Sequence, residues 1–119
     1  MNQNIWEYDD FIFKGDELKG MTQKGKDKVK LEAKTDLVIP ELTPDGLPLK
    51  KIADNAFYRR GLTSVVIPST VESIGYDAFG VCKLKEVKLP EALVNIEGFA
   101  FYRNKLTKVE FGSNLTDRK

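Results

Sequence analysis

Between Leu62 and Leu115 the chain repeats itself at a fixed interval of 22 residues. LTSVVIPSTVESIGYDAFGVCK (62–83) is followed by LKEVKLPEALVNIEGFAFYRNK (84–105) and then by LTKVEFGSNL (106–115). Leu62, Leu84 and Leu106 fall into register, as do Val65, Val87 and Val109. Ile67, Leu89 and Phe111 form a third column, and Val71, Leu93 and Leu115 a fourth. A constant period of about 20–50 residues marks a solenoid, in which each unit buries its apolar face only against its neighbours. That constraint selects the architecture and points function toward binding rather than chemistry.

One unit read as local structure gives short strands and turns. In LTSVVIP, Val65 and Ile67 lie on one face of a β-branched strand, and Pro68, which has no N–H to donate, ends it. Val71 and Ile74 make a second short inward-facing stretch, and Asp77-Ala78-Phe79 reads as a short helical turn. The Ala-Phe pair recurs at 56–57, 78–79 and 100–101, so the three rings are expected to stack into an aromatic spine.

The first unit is the same theme with an insertion. Leu37, Ile39 and Pro40 match Val65, Ile67 and Pro68, while Leu49, Ile52, Ala56 and Phe57 match Val71, Ile74, Ala78 and Phe79. Six additional residues separate Pro40 from Ile52, and Thr43-Pro44-Asp45-Gly46 has the chemistry of a tight β-turn. Residues 1–36 do not repeat. YDDFIFKGDELKGMT reads as a β-hairpin with Phe11 and Phe13 on one face, and Lys24, Lys26, Lys28 and Lys30 alternate as along a strand. Trp6 and Tyr8 are placed on the same region, with an exposed Trp6 the more informative alternative. The expected organisation is an N-terminal β-hairpin cap over 1–36 and a solenoid over 37–119. Its units are 37–61, 62–83, 84–105 and a partial 106–119. The start of a fourth unit at the end leaves apolar surface and a strand edge open, which predicts that the natural polypeptide continues or that a second copy covers the edge, with weak self-association there.

Composition narrows chemistry by subtraction. The chain has no histidine and one cysteine, which removes imidazole catalysis, Ser-His and Cys-His nucleophiles, His-containing zinc sites and any internal disulfide. No cofactor is called for. Nineteen basic residues against eighteen acidic ones give no field that draws nucleic acid or an anionic membrane. No apolar run approaches the roughly 18 residues of a membrane span, so no membrane insertion is expected. MNQNIWEYDD has neither a basic nor an apolar leader segment, which fits a cytosolic protein or a piece of a longer one.

The pattern L-x-x-V-x-I-P-x-x-V-x-x-I-G-x-x-A-F resembles the bacterial BspA-like leucine-rich repeats, also described as the Treponema pallidum type. Residues 62–83 fit it throughout, 84–105 fit except at Glu97 where the family has Gly, and 37–61 fit with the insertion. The hairpin followed by VIP-x-x-TPDG looks like the segment that opens such arrays in Gram-positive surface proteins. The resemblance covers about two thirds of the chain. It implies a strand-rich leucine-rich-repeat solenoid of the α/β repeat type, with short parallel strands and short helical turns. It also implies a non-enzymatic module of an extracellular or cell-wall-associated protein that adheres to host or bacterial surface macromolecules. A spacer or stalk in a larger surface protein, or an intracellular scaffold, is the alternative. Pro68 and Pro90 directly after the strands, and the absence of Asn at Thr70 and Ala92, argue against a horseshoe with long helices.

Candidate partner-binding residues form two groups. The outward strand positions give the columns Asp36, Ser64, Glu86, Lys108 and Val38, Val66, Lys88, Glu110. In a parallel stack, Glu86 falls beside Lys108 and Lys88 beside Glu110, so opposite charges set the register and keep the face soluble. The second group is the repeated pair Tyr58-Arg59 and Tyr102-Arg103, an aromatic–cationic patch suited to glycans or acidic peptides. Cys82 shares a repeat position with Arg60 and Asn104, which suits a semi-buried turn role more than a nucleophile.

Overall fold

A computed structural model describes residues 5–111. The expected place of Leu115 and of the partial unit beyond Phe111 lies outside the described residues. A 3₁₀ turn, Tyr8–Asp10, leads into β1 (Phe11–Lys14), which pairs antiparallel with β2 (Glu17–Met21). Phe11 and Leu18 are buried from this hairpin, with a register shift between Ile12 and Phe13.

The lysine-rich stretch that reads as a strand is the helix α1, Gln23–Leu31. Three local features decide this. Thr22 caps the helix, its Oγ1 accepting from the Gly25 N–H at 3.2 Å. Gly25 lets the helix lie directly on the Asp10 carbonyl, where a Cβ would collide. The i, i+4 spacing then puts Lys24 and Lys28 on one face. Lys24 bridges Glu7 and Asp9 at 2.8 and 2.7 Å. Lys28 is buried and meets the fully buried Asp10 at 2.6 Å. Alternation along the sequence was the wrong period to read; four-residue spacing against three nearby acids was the informative one.

The repeats form a coil with three sides. On one side run β3 (Asp36–Val38), β5 (Ser64–Val66), β7 (Glu86–Lys88) and β9 (Lys108–Glu110). On the second run β4 (Lys51–Ile52), β6 (Ser73–Ile74) and β8 (Asn95–Ile96). The third side is a column of turns near residues 53–59, 75–81 and 97–103. The second side continues into the hairpin, giving a sheet of order β1-β2-β4-β6-β8 in which Leu18, Ile52, Ile74 and Ile96 stand in register. The first strand column is not one ladder. β3 pairs with β5, and β7 with β9, but among the described residues no ladder joins β5 to β7. β5 and β7 lie side by side without ladder bonds, with Val65 and Val87 both buried beneath them.

The aromatic spine is present. Phe57, Phe79 and Phe101 stack with ring centroids 5.3 Å apart at both steps and interplanar angles of 14° and 3°. The first two rings are fully buried and the third is half-buried. In the insertion, the Gly46 N–H closes the turn on the Thr43 carbonyl at 2.9 Å, and Leu42 bridges Pro48.

Two outcomes follow from this packing. Phe79→Ala removes the ring that touches both neighbours and is expected to cost about 3–5 kcal/mol, with a smaller loss for the half-buried Phe101→Ala; urea denaturation of the two variants measures both. In the cap, hydrogen bonds from Lys24 hold Glu7 and Asp9 below their ordinary values of 4.5 and 3.8. Groups with lowered folded values stabilise above their unfolded values and lose that contribution as pH falls through the folded ones. The difference in urea midpoint between the parent chain and Lys24→Gln is therefore expected to be largest above the unfolded values, near about pH 6, and to shrink as the pH falls through the lowered folded ones.

Candidate functional site

The outward face of the first strand column follows from a single requirement. Leu37, Val65 and Val87 must point into the core, so the residues on either side of each must point out. Ser64, Val66, Glu86, Lys88, Lys108 and Glu110 come together around one depression of about 380 Å³. It opens where the β5–β7 ladder is missing. Register places Glu86 opposite Lys108 and Lys88 opposite Glu110, yet the ion pair that closes runs along β9, from Lys108 to Glu110 at 2.9 Å. That hydrogen bond raises the Lys108 pKa, with the charge of Glu86 adding to it, and lowers that of Glu110, with Lys88 adding. All four groups are exposed and available to a partner's charges.

The same column is apolar toward the cap. Val38 is 48% exposed and Val66 58% exposed, an uncommon use of valine on a solvated strand face. Val38 joins Ile5, Trp6, Lys34 and Pro40 around a hollow of about 360 Å³. Trp6 is half-buried and fixed: its Nε1 donates to the Asp36 carbonyl at 2.7 Å, and the Lys28 and Lys34 ammonium groups lie 5.6 and 5.5 Å from its ring centre. A further hollow of about 340 Å³ lies between Val66 and Lys88 and reaches Pro90. The face is therefore graded from apolar at the cap to charged at β9.

Tyr58, Arg59, Tyr102 and Arg103 lie on the turn column, on another side of the coil. Each guanidinium sits over its own neighbour's ring, at 5.4 Å for Arg59 on Tyr58 and 5.6 Å for Arg103 on Tyr102. The middle unit has Gly80 and Val81 at these positions, so the two pairs are one coil apart from continuity. Sequence reading missed two residues here. Tyr76 and Phe99 are exposed and meet edge to face at 5.6 Å, and Phe99 meets Tyr102 at 4.9 Å. A signal existed: Phe99 stands in the repeat position held by Asn55 and Asp77.

Catalytic alternatives find little to build on. Cys82 is buried, its Sγ donates to the Phe57 carbonyl at 3.3 Å, and burial pushes the thiol pKa up, away from a reactive thiolate. Asn104 makes the equivalent bond one unit on, from Nδ2 to the Phe79 carbonyl at 2.8 Å. Glu17, Asp54 and Glu97 share a hollow of about 290 Å³ on the second strand column. Each is tied locally: Glu17 to Lys19, Asp54 to the Tyr76 N–H, and Glu97 to Asn95. Among the described residues no cluster of His, Cys, Asp and Glu has the makings of a metal site, and no helix is long and apolar enough to cross a membrane.

Comparison with known proteins agrees with this geometry. The model of the BspA type leucine rich repeat region (6 copies) matches residues 50–119. The crystal structure of a leucine-rich repeat protein from Bacteroides capillosus superposes with a TM-score of 0.51 at 21% identity, covering 80% of this chain and 85% of that one. At that identity the likeness speaks to the fold: both are leucine-rich repeat solenoids. No curated protein matches the chain.

Proposed function

We propose that this chain, which belongs to the BspA-type leucine-rich repeat family, is a non-enzymatic protein-interaction module of a bacterial surface protein, with its binding face on the first strand column. In this reading residues 1–36 cap a solenoid over 37–119, and the parent protein is extracellular or attached to the cell wall. Its partner is a host or bacterial surface macromolecule. The supporting observation is the gathering of Ser64, Val66, Glu86, Lys88, Lys108 and Glu110 around one depression, with exposed valine at one end and two charges of each sign at the other. An apolar anchor beside charges that set register is how protein interfaces combine affinity with specificity. A solenoid used only as a spacer has no need of exposed valines in register on one face.

Binding of the purified chain to immobilised extracellular-matrix proteins and to bacterial cells tests the reading. Saturable binding is expected, weakening as salt is raised. Changing Glu86, Lys88, Lys108 and Glu110 together to Ser is expected to weaken it by about tenfold or more while leaving the thermal midpoint within a few degrees, since surface pairs contribute at most about 1 kcal/mol. Binding that survives the change contradicts the assignment of the face, and no binding by either protein contradicts the adhesive role.

A further inference from the structure

Winding residues 23–31 into α1 divides its four lysines into two pairs. Lys24 and Lys28 are taken up by the acids of the cap, Glu7, Asp9 and Asp10. Lys26 and Lys30, also four apart, stand on another face of the helix, toward the turns of the first coils. There they meet Arg59, Arg60 and Lys83 around a hollow of about 520 Å³. Asp27 is the one acidic residue in its lining, and its Oδ1 accepts from Gln23 at 2.9 Å. The hollow thus gathers five of the chain's nineteen basic residues against one of its eighteen acidic ones. Among the described residues none of the five makes an ion pair.

The groove is lined by α1 on one flank and by the turns of two successive coils on the other, so no edge of the stack enters it. Such a cluster is unfavourable by itself. Lys26 and Lys30 are like charges at i and i+4, which destabilises a helix, and Arg59 and Arg60 add two more across from them. The guanidinium groups are nonetheless held in place. The Arg60 Nε donates to the Tyr58 carbonyl at 3.3 Å, and the Arg59 guanidinium lies 5.4 Å from the centre of the Tyr58 ring. Cations fixed in advance lose less freedom when an anion arrives.

The chemistry of the lining selects among anions. Its charged side chains are donors except Asp27, which Gln23 already occupies, and the Thr35 hydroxyl lies 2.8 Å from that of Thr63. An acidic peptide brings an N–H at nearly every residue, and these side chains offer it few acceptors. The lining holds no aromatic ring, so nucleic-acid bases have nothing there to stack on. A sulfated polysaccharide brings closely spaced oxyanions for Arg forks and Lys ammonium groups, while its hydroxyls stay in water at the open mouth. The cations also continue along the stack, as a linear polymer requires. Lys105 follows Lys83 by 22 residues, and the two N–H groups make the same bond to the preceding coil, at 2.9 Å to Leu84 and 2.8 Å to Leu62. We propose that the groove between α1 and the turns at 59–61 and 83 binds a sulfated glycan through Lys26, Lys30, Arg59, Arg60 and Lys83. The choice of a sulfated glycan over a phosphate polymer rests on the extracellular placement proposed above; the groove itself does not.

The test is calorimetric titration of the full chain with a heparin hexasaccharide, the same sugar stripped of sulfate, polyphosphate and decaglutamate. Saturable binding of the hexasaccharide is expected, weakening as salt is raised, and about tenfold or more tighter than that of the stripped sugar, which keeps its carboxylates. Lys26→Gln with Lys30→Gln relieves the repulsion along the helix, so the double variant is expected to keep or raise the thermal midpoint while weakening binding about tenfold or more. Lys14→Gln with Lys51→Gln removes the same charge elsewhere and is expected to change binding by less than about twofold, as is changing Glu86, Lys88, Lys108 and Glu110 to Ser. No binding of the hexasaccharide, equal binding of the stripped sugar, or equal losses in the two double variants overturns the groove assignment and leaves the proposed function standing. Loss of binding in the four-Ser variant overturns it by moving the site to the first strand column. Tighter binding of decaglutamate overturns the choice of glycan, and tighter binding of polyphosphate overturns it together with the extracellular placement.

Discussion

Register between coils is what everything else in this molecule rests on. A shift of one residue in any unit would break three interactions together: the ring stack of Phe57, Phe79 and Phe101, the parallel pairing of Ile52, Ile74 and Ile96, and the N–H donations along the turn column. The three agree because all are spaced by the same 22 residues. The first unit shows how strictly this holds. Its six additional residues are absorbed in a small closed turn near Thr43, so that Leu37 still pairs with Val65 and Ile52 with Ile74.

The first and last described coils differ in what covers them. At the cap, β2 adds a strand to the second column, and the buried Lys28–Asp10 pair fastens α1 to the 3₁₀ turn that leads into the hairpin. Such a pair is weak evidence of stability by itself, but removing either partner leaves a charge buried alone, so it fixes how the helix docks. Toward β9 the equivalent apolar positions are open: Ile74 is fully buried and Ile96 is 42% exposed. Coupling in such an array passes only between neighbours, so a face offered by one coil is held in place by the coils on either side. That gives the graded first column a rigid base without a large central core.

Much of this was legible in the chain. The solenoid, the Ala-Phe spine, the hairpin and the opposition of Glu86 to Lys108 and of Lys88 to Glu110 all follow from period and alternation. What was not legible depended on contacts distant in sequence. The helix α1 forms because Gly25 meets Asp10 and because Lys24 and Lys28 meet Glu7, Asp9 and Asp10, partners that no local pattern announces. The missing ladder between β5 and β7 cannot be read from repeats that look alike. Phe99 was legible in principle, as the one bulky residue in a column of Asn and Asp, but its meaning needs the positive φ shared by that column.

Native-state amide hydrogen exchange, read residue by residue, tests the central claim that each coil's turn donates alternate N–H groups to the coil that follows it. The Phe57 N–H, 2.7 Å from the Ala78 carbonyl, and the Phe79 N–H, 2.8 Å from the Ala100 carbonyl, should be protected to a similar degree. The Phe101 N–H, on a ring stacked in the same spine but without an acceptor among the described residues, should exchange orders of magnitude faster. Equal protection at all three, or rapid exchange at Phe57 and Phe79, would contradict the coil-to-coil ladder on which this account is built.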